Sequence, residues 1–277
     1  MKNKFHHNNH QGNDYYNNNN TNEPIFDYKG IIQPLLANAE KGKKNIVLLT
    51  TGAFNPIHRM HLEILNIAYK HLLKDYNVLC AFISPSADCY VKYKRPPNFP
   101  FDIRCEMIQA SIEDFYNENK EKEKEMLKIY LNEWEGSHDF FIDFPEVTMH
   151  IQNELYKIGE IELLYVCGID HYIKCFYSFD RNVIAIDREP YKINENDNRF
   201  KNNPKKLIFI VKDKNTAPFS STSIKVSYEK NDLETIEKCT FPNVFKMIVN
   251  YLDCLNPEKH KEQNHEEINN QQQHKDI

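Results

Sequence analysis

The chain has 277 residues, of which 40% are hydrophobic, 27% charged and 12% aromatic, enough apolar material for one large core or two small ones. That balance excludes collagen, coiled coil and wholesale disorder. With 35 Lys+Arg against 40 Asp+Glu the formal net charge is −5, so there is no broad basic face for nucleic acid, and any bound phosphate must be held locally.

Residues 1–22 carry nine Asn and almost no aliphatic side chains. They bury too little to offset the entropy of ordering, so a disordered tail is expected over 1–26. His6, His7 and His10 in it read as low-complexity drift in preference to a metal tract. The start is polar, unlike a secretory signal, and no apolar run approaches the roughly 18 residues of a membrane span. Seven cysteines without a CxxC pair read as reduced, buried thiols of an intracellular protein, cytoplasmic or nuclear.

One domain is expected over 27–255. Within it, apolar runs at 46–50, 78–83, 140–142, 161–167, 183–186 and 207–211 have the unbroken character of strands buried on both faces of a parallel sheet. Leu62, Leu65, Tyr69 and Leu72 form one stripe of an amphipathic helix, and further helices are predicted at about 102–116, 171–176 and 233–255. The alternation predicts an α/β fold with a doubly wound, mostly parallel sheet, its ligand site beyond the carboxyl ends of the strands. Residues 113–135 hold eight acidic residues and four lysines, and a solvated helical insertion is predicted over about 113–137, with Trp134 as a packing anchor. A second disordered tail is expected over 256–277.

The first strand leads directly into Gly52-Ala53-Phe54-Asn55-Pro56-Ile57-His58-Arg59-Met60-His61-Leu62. Gly52 can take positive φ and admit a phosphate to the backbone, Pro56 suits a turn, and the N–H groups of the following helix start attract anions. His58 and His61, three apart, can face the same anion; a partial metal site or plain surface are the alternatives. No P-loop or G-x-G-x-x-G is present. After the last strand comes Phe219-Ser220-Ser221-Thr222-Ser223-Ile224-Lys225, where hydroxyls at a helix start are N-caps by default. Beside a phosphate site in the same sheet they and Lys225 would form a second anion cradle.

Together these segments resemble the G-x-F-x-P-x-[HT]-x-x-H and I-S-S-T-x-I-[RK] signatures of the nucleotidylyltransferase superfamily. Asn55-Pro56 and Met60-His61-Leu62 are most similar to nicotinamide/nicotinate mononucleotide adenylyltransferases of the eukaryotic type. The segment from Ser84-Pro85 through Asp88 and Tyr90 to Lys92, then Cys167-Gly168-Ile169-Asp170, Ile186-Asp187-Arg188, and the closing Pro242, Val244 and Tyr251 extend the resemblance over about 45–255.

The resemblance implies a Rossmann-like nucleotidylyltransferase fold and transfer of AMP from ATP to a pyridine mononucleotide, with Mg²⁺ accompanying ATP and no protein-held metal. It implies His61 and His58 as charge donors to the phosphates and Ser221, Thr222 and Lys225 on the β- and γ-phosphates. Gly52, Ala53 and Phe54 would lie against nucleotide, Gly168 and Asp170 on the adenosine side, and Lys92 and Arg188 at the mononucleotide. Two ring-bracketing tryptophans of the family have no counterpart; Phe144 or Pro145, and Phe176, stand near those places, and Phe can still stack. A cytidylyltransferase or other acceptor, and a non-catalytic nucleotide-binding protein, are the competing readings. A homo-oligomer is left open, and no nucleic-acid or membrane partner is expected.

Overall fold

A computed structural model describes residues 26–121, 125–175, 182–187, 208–212 and 217–255. Residues 1–25 of the first expected tail, the whole of the second, Phe176 and Arg188 lie outside the described residues, whereas Phe26, expected in the tail, packs edge-on against Tyr28 and Phe82. The elements run α1 (Tyr28–Leu36), β1 (Lys44–Gly52), α2 (Arg59–Leu72), β2 (Tyr76–Pro85), α3 (Asp88–Val91), α4 (Phe101–Asn119), β3 (Ile129–Leu131), α5 (Phe144–Tyr156), β4 (Ile161–Gly168), α6 (Ile169–Lys174), β5 (Val183–Asp187), β6 (Ile208–Lys212), α7 (Ser221–Glu229), α8 (Leu233–Cys239) and α9 (Pro242–Leu255).

The strands form one sheet in the order β3-β2-β1-β4-β5-β6, and every pairing is parallel. Its centre shows why the apolar runs are unbroken. Ile46, Val47, Leu48 and Leu49 of β1 are all 0% exposed, because successive side chains enter opposite cores. Ile46 and Leu48 pack with Leu62 and Leu65 of α2, Met107 and Ile108 of α4, and Val244, Ile248 and Leu252 of α9. Val47 and Leu49 pack with Ile32 of α1, Val147 and Ile151 of α5, and Tyr172 of α6. Each such aliphatic side chain stabilises the fold by about 1.5–3 kcal/mol on burial. The doubly wound α/β architecture expected from the alternation is therefore the one observed.

Three details differ from expectation. The run 140–142 is not a strand: Phe140 and Phe141 are exposed and only Ile142 is buried. The third strand is Ile129–Leu131, inside the stretch read as a helical insertion. There α4 ends at Asn119, and the chain returns to the sheet edge, where Ile129 is 4% exposed. Asn132, Trp134 and Glu135 are buried behind it, and Trp134 stacks on His150 with ring centroids 3.6 Å apart and planes 5° from parallel.

The last predicted helix is two. Thr240 is extended (φ −113°, ψ 172°), and Pro242 cannot continue α8 but is preorganised to start α9. The expectation of buried thiols holds for Cys80, Cys105, Cys167 and Cys239, whereas Cys89 and Cys175 are half-buried and Cys254 is exposed. Among the described residues no helix is long and apolar enough to cross a membrane.

Candidate functional site

β1 and β4 are neighbours at the centre of the sheet, and the chain leaves them into α2 and α6. Where strand order reverses in this way, the loops part and leave a crevice at the carboxyl ends. A cavity of about 310 Å³ lies there. Its floor comes from strand ends, Thr50 and Thr51 of β1 and Tyr165, Cys167 and Gly168 of β4; one wall is His58, Met60, His61 and Ile64. Asp170 and His171 of α6 form the opposite wall, and Ser220, Ser221 and Thr222 at the start of α7 close it.

The histidine pair is tightly defined. His58 is the extended N-cap of α2 (φ −143°, ψ 166°). Its backbone N–H donates to His61 Nδ1 at 3.1 Å, and its carbonyl accepts from the His61 N–H at 2.9 Å. The two rings stack at 3.6 Å and 26°. Because His61 Nδ1 accepts, its ring proton is assigned to Nε2, the form in which the imidazole donates from its far side. Both histidines line the cavity, as their spacing suggested.

The turn before them corrects an expectation. Gly52 does not take positive φ; Phe54 does, at 41°. Gly52 is still paired as the last residue of β1, opposite Pro85, so it stays extended and the chain reverses two residues later. A Cβ at Gly52 would meet the Phe54 ring at 3.6 Å, ordinary contact. The left-handed backbone at Phe54 is uncommon for a bulky residue. Its ring is 3% exposed and lies edge-on to His61 at 4.8 Å, so the same turn that stores strain braces the imidazole. Gly52, Ala53 and Phe54 stand behind the cavity wall and do not line it.

The hydroxyl motif divides its labour. Ser220 Oγ accepts from the Ser223 N–H at 3.0 Å, and Ser223 Oγ accepts from the Ser220 N–H at 3.1 Å; this is a reciprocal cap. Ser221 reaches across instead, its Oγ donating to the Pro56 carbonyl at 2.8 Å. Two motifs 165 positions apart are thus joined directly. Thr222 is exposed at the rim.

Lys225 and Lys92 depart from their expected places. Lys225 is 4% exposed and turns its ammonium away from the cavity, to the Arg95 carbonyl and Asn98 Oδ1. Lys92 caps α3, with its ammonium 5.1 Å above the Tyr93 ring, outside the cavity lining. Phe144, near one of the ring-bracketing positions, is buried below the floor against Tyr165 and His171, each with its ring centroid 5.1 Å away.

Several structural partners were not singled out from sequence. Tyr165 OH and Thr51 Oγ1 share a hydrogen bond at 2.9 Å across the floor. His171 directly follows the quoted Asp170. Arg104, 0% exposed, is a clamp: its guanidinium donates to the carbonyls of Phe99, Ala53 and Ser86 at 3.1, 2.8 and 2.7 Å and to the Asp88 carboxylate at 2.9 Å. One side chain thereby ties three loops at the carboxyl ends of β1 and β2. Its signal in the sequence was a charge on the same helical stripe as Met107, Ile108 and Ile112.

Burial sets the charge of the floor. It pushes the Tyr165 phenol and the Cys167 thiol well above their ordinary values and lowers His171 below the usual histidine range. At neutral pH the floor therefore carries no thiolate and no phenolate, and it does not repel an anion. Two helix starts, α2 and α7, offer N–H groups and the positive ends of their dipoles to the space between them. Among the described residues no group of three His, Cys, Asp or Glu side chains could hold a metal ion. The arrangement suits a multiply charged anion held and oriented by fixed donors, without a protein nucleophile.

The chain belongs to the family whose model is described as Cytidylyltransferase-like, which matches residues 49–227. No curated protein matches it. Among solved structures it is similar to Plasmodium falciparum nicotinic acid mononucleotide adenylyltransferase, both complexed with NaAD and complexed with APC. In each case the TM-score is 0.56 at 18% identity, covering 75% of this chain and 96% of that one. At that identity the likeness is one of fold, and it agrees with the parallel sheet and central crevice described above.

Proposed function

We propose that this protein transfers the AMP moiety of ATP to the 5′-phosphate of nicotinamide or nicotinate mononucleotide, releasing pyrophosphate and forming NAD or its acid analogue. The observation that carries the reading is the Ser221–Pro56 hydrogen bond, which sets two anion-binding helix starts around one cavity. Support comes from the fold shared with a nicotinic acid mononucleotide adenylyltransferase complexed with NaAD.

In this reaction a phosphate oxygen of the mononucleotide attacks the α-phosphorus of ATP, and the bond to the bridging oxygen of pyrophosphate breaks. The nucleophile is already an anion, so the protein's contribution is alignment and stabilisation of charge on the transferring and departing groups. His61 and His58 fit as donors to the ATP phosphates, preorganised by their mutual stacking and by the Phe54 ring. Thr222 and the N–H groups of α7, that of Ser221 included, fit the departing β- and γ-phosphates, and Gly168 and Asp170 fit the adenosine side. Phe176 and Arg188 are kept for the mononucleotide; Lys92, over the Tyr93 ring and outside the cavity lining, is not.

Mg²⁺ is proposed to enter with ATP. Asp170 is the one carboxylate among the described cavity-lining residues, and phosphate and water oxygens would complete the ion's coordination.

A second reading is favoured by the family model itself, whose description names cytidylyl transfer. Pyrophosphate release measured with ATP and with CTP, each product identified by mass, separates the two. Dinucleotide from ATP upholds the proposal, and turnover confined to CTP overturns it.

A further inference from the structure

Lys225 occupies the place of the motif's phosphate-binding cation, yet its surroundings give it other work. It lies one helical turn beyond Ser221, and its Nζ donates to the Arg95 carbonyl and, at 3.2 Å, to Asn98 Oδ1. The same Asn98 oxygen accepts from Asn55 Nδ2 at 2.7 Å, and Asn55 Oδ1 accepts from the Phe99 N–H at 2.9 Å. Asn55 and Phe99 are each 2% exposed. With Ser221 Oγ bound to the Pro56 carbonyl, a closed circuit results, from α7 through residues 95–99 to the Asn55-Pro56 turn and back to α7.

We infer that Lys225 is a positioning residue, which holds residues 95–99 against the Asn55-Pro56 turn and so fixes the turn that carries Phe54, His58 and His61. The oxygens it binds are both uncharged. The charged groups acting on it are Lys94 and Arg95, both cations, and Arg95 is itself committed to Glu229 through two hydrogen bonds. Burial and those two cations bring the Lys225 ammonium down to about 8. A cation only 4% exposed that faces neutral acceptors is costly to keep, and here the Arg95 carbonyl and the half-buried Asn98 Oδ1 supply the hydrogen bonds that offset the cost. The catalytic half of the inference rests on the adenylyl-transfer reading; the structural half does not.

The test is Lys225→Met, Asn98→Ala and the double variant, assayed at varied ATP, with amide hydrogen exchange followed over residues 94–99 of the full chain. Lys225→Met is expected to lower kcat by about tenfold or more, since misplacement of a donor is read in the transition state. KM for ATP should stay within about threefold, because no contact made equally to bound ATP has been removed. Exchange over 94–99 should rise, and the double variant should be no worse than the more damaging single one, as expected for members of one network. A rise of about tenfold in KM for ATP with kcat retained would make Lys225 a phosphate ligand and overturn the inference. So would unchanged kcat and unchanged exchange. Should Lys225→Met fail to fold, Asn98→Ala carries the same expectations. If the wild type forms no dinucleotide, the adenylyl-transfer reading fails, and exchange still decides: lost protection upholds the positioning role, retained protection ends it.

Discussion

His61 is held on three sides: by the His58 N–H at Nδ1, by the stacked His58 ring and by the edge of Phe54. That bracing makes it a fixed donor, and its removal should cost the transition state without harming the fold. His61→Ala is expected to lower kcat by about 10² with the unfolding midpoint little changed; an unchanged rate removes His61 from the mechanism. Ser221→Ala deletes the Ser221–Pro56 bond, a net loss of about 1 kcal/mol in stability. It should cut kcat more than it changes binding of ATP, and an unaltered kcat would show that the two motifs need no direct tie. His58, His61, Ser221 and Thr222 were legible because motif spacing places them at helix starts. Lys225 and Lys92 were not, since a cation's presence near a motif does not say which way a long, flexible side chain turns.

At the scale of the element, the sheet edge carries the clearest pH signature. Glu135, 1% exposed behind β3, accepts from Ser84 Oγ at 2.8 Å, and burial raises its carboxyl to about 7. The folded protein therefore keeps this proton over a range in which the unfolded chain has lost it. Its contribution is complete below the ordinary carboxyl pKa and disappears as pH rises through about 7. Stability measured by denaturant should fall across that window by up to about 3 kcal/mol, and Glu135→Gln should flatten the fall. Parallel curves for the two proteins would contradict it.

The Arg104 clamp is the second element-scale test. Arg104→Met leaves the buried Phe99 and Ser86 carbonyls and the part-buried Ala53 carbonyl without their donor, while the Asp88 carboxylate stays in contact with water, and should cost about 2–4 kcal/mol in a denaturant titration; a loss below about 1 kcal/mol would mean the loops hold themselves. Sequence reading failed at this scale where a charged run concealed a short edge strand at Ile129–Leu131, and where glycine's freedom drew attention to Gly52 although the reversal falls on Phe54. In both places tertiary pairing overrode local preference.

Over the whole molecule the unbroken apolar runs carried most of the information, because a strand covered on both faces has no polar side to show. The parallel sheet and a site beyond the carboxyl ends of its strands were legible in that pattern together with the two motifs, whereas the strand order, with its reversal between β1 and β4, came from the structure. Beyond its reach lay the hydrogen-bonded circuit through Asn55, Asn98 and Lys225, which joins residues far apart in the chain and has no periodicity to betray it. The joint of the two motifs over one cavity is the observation on which the proposed adenylyl transfer rests. The most direct measurement is pyrophosphate release from ATP and Mg²⁺ with nicotinamide and nicotinate mononucleotides, each product weighed. Stoichiometric NAD or its acid analogue is the expected result; ATP binding without release on either acceptor would contradict it.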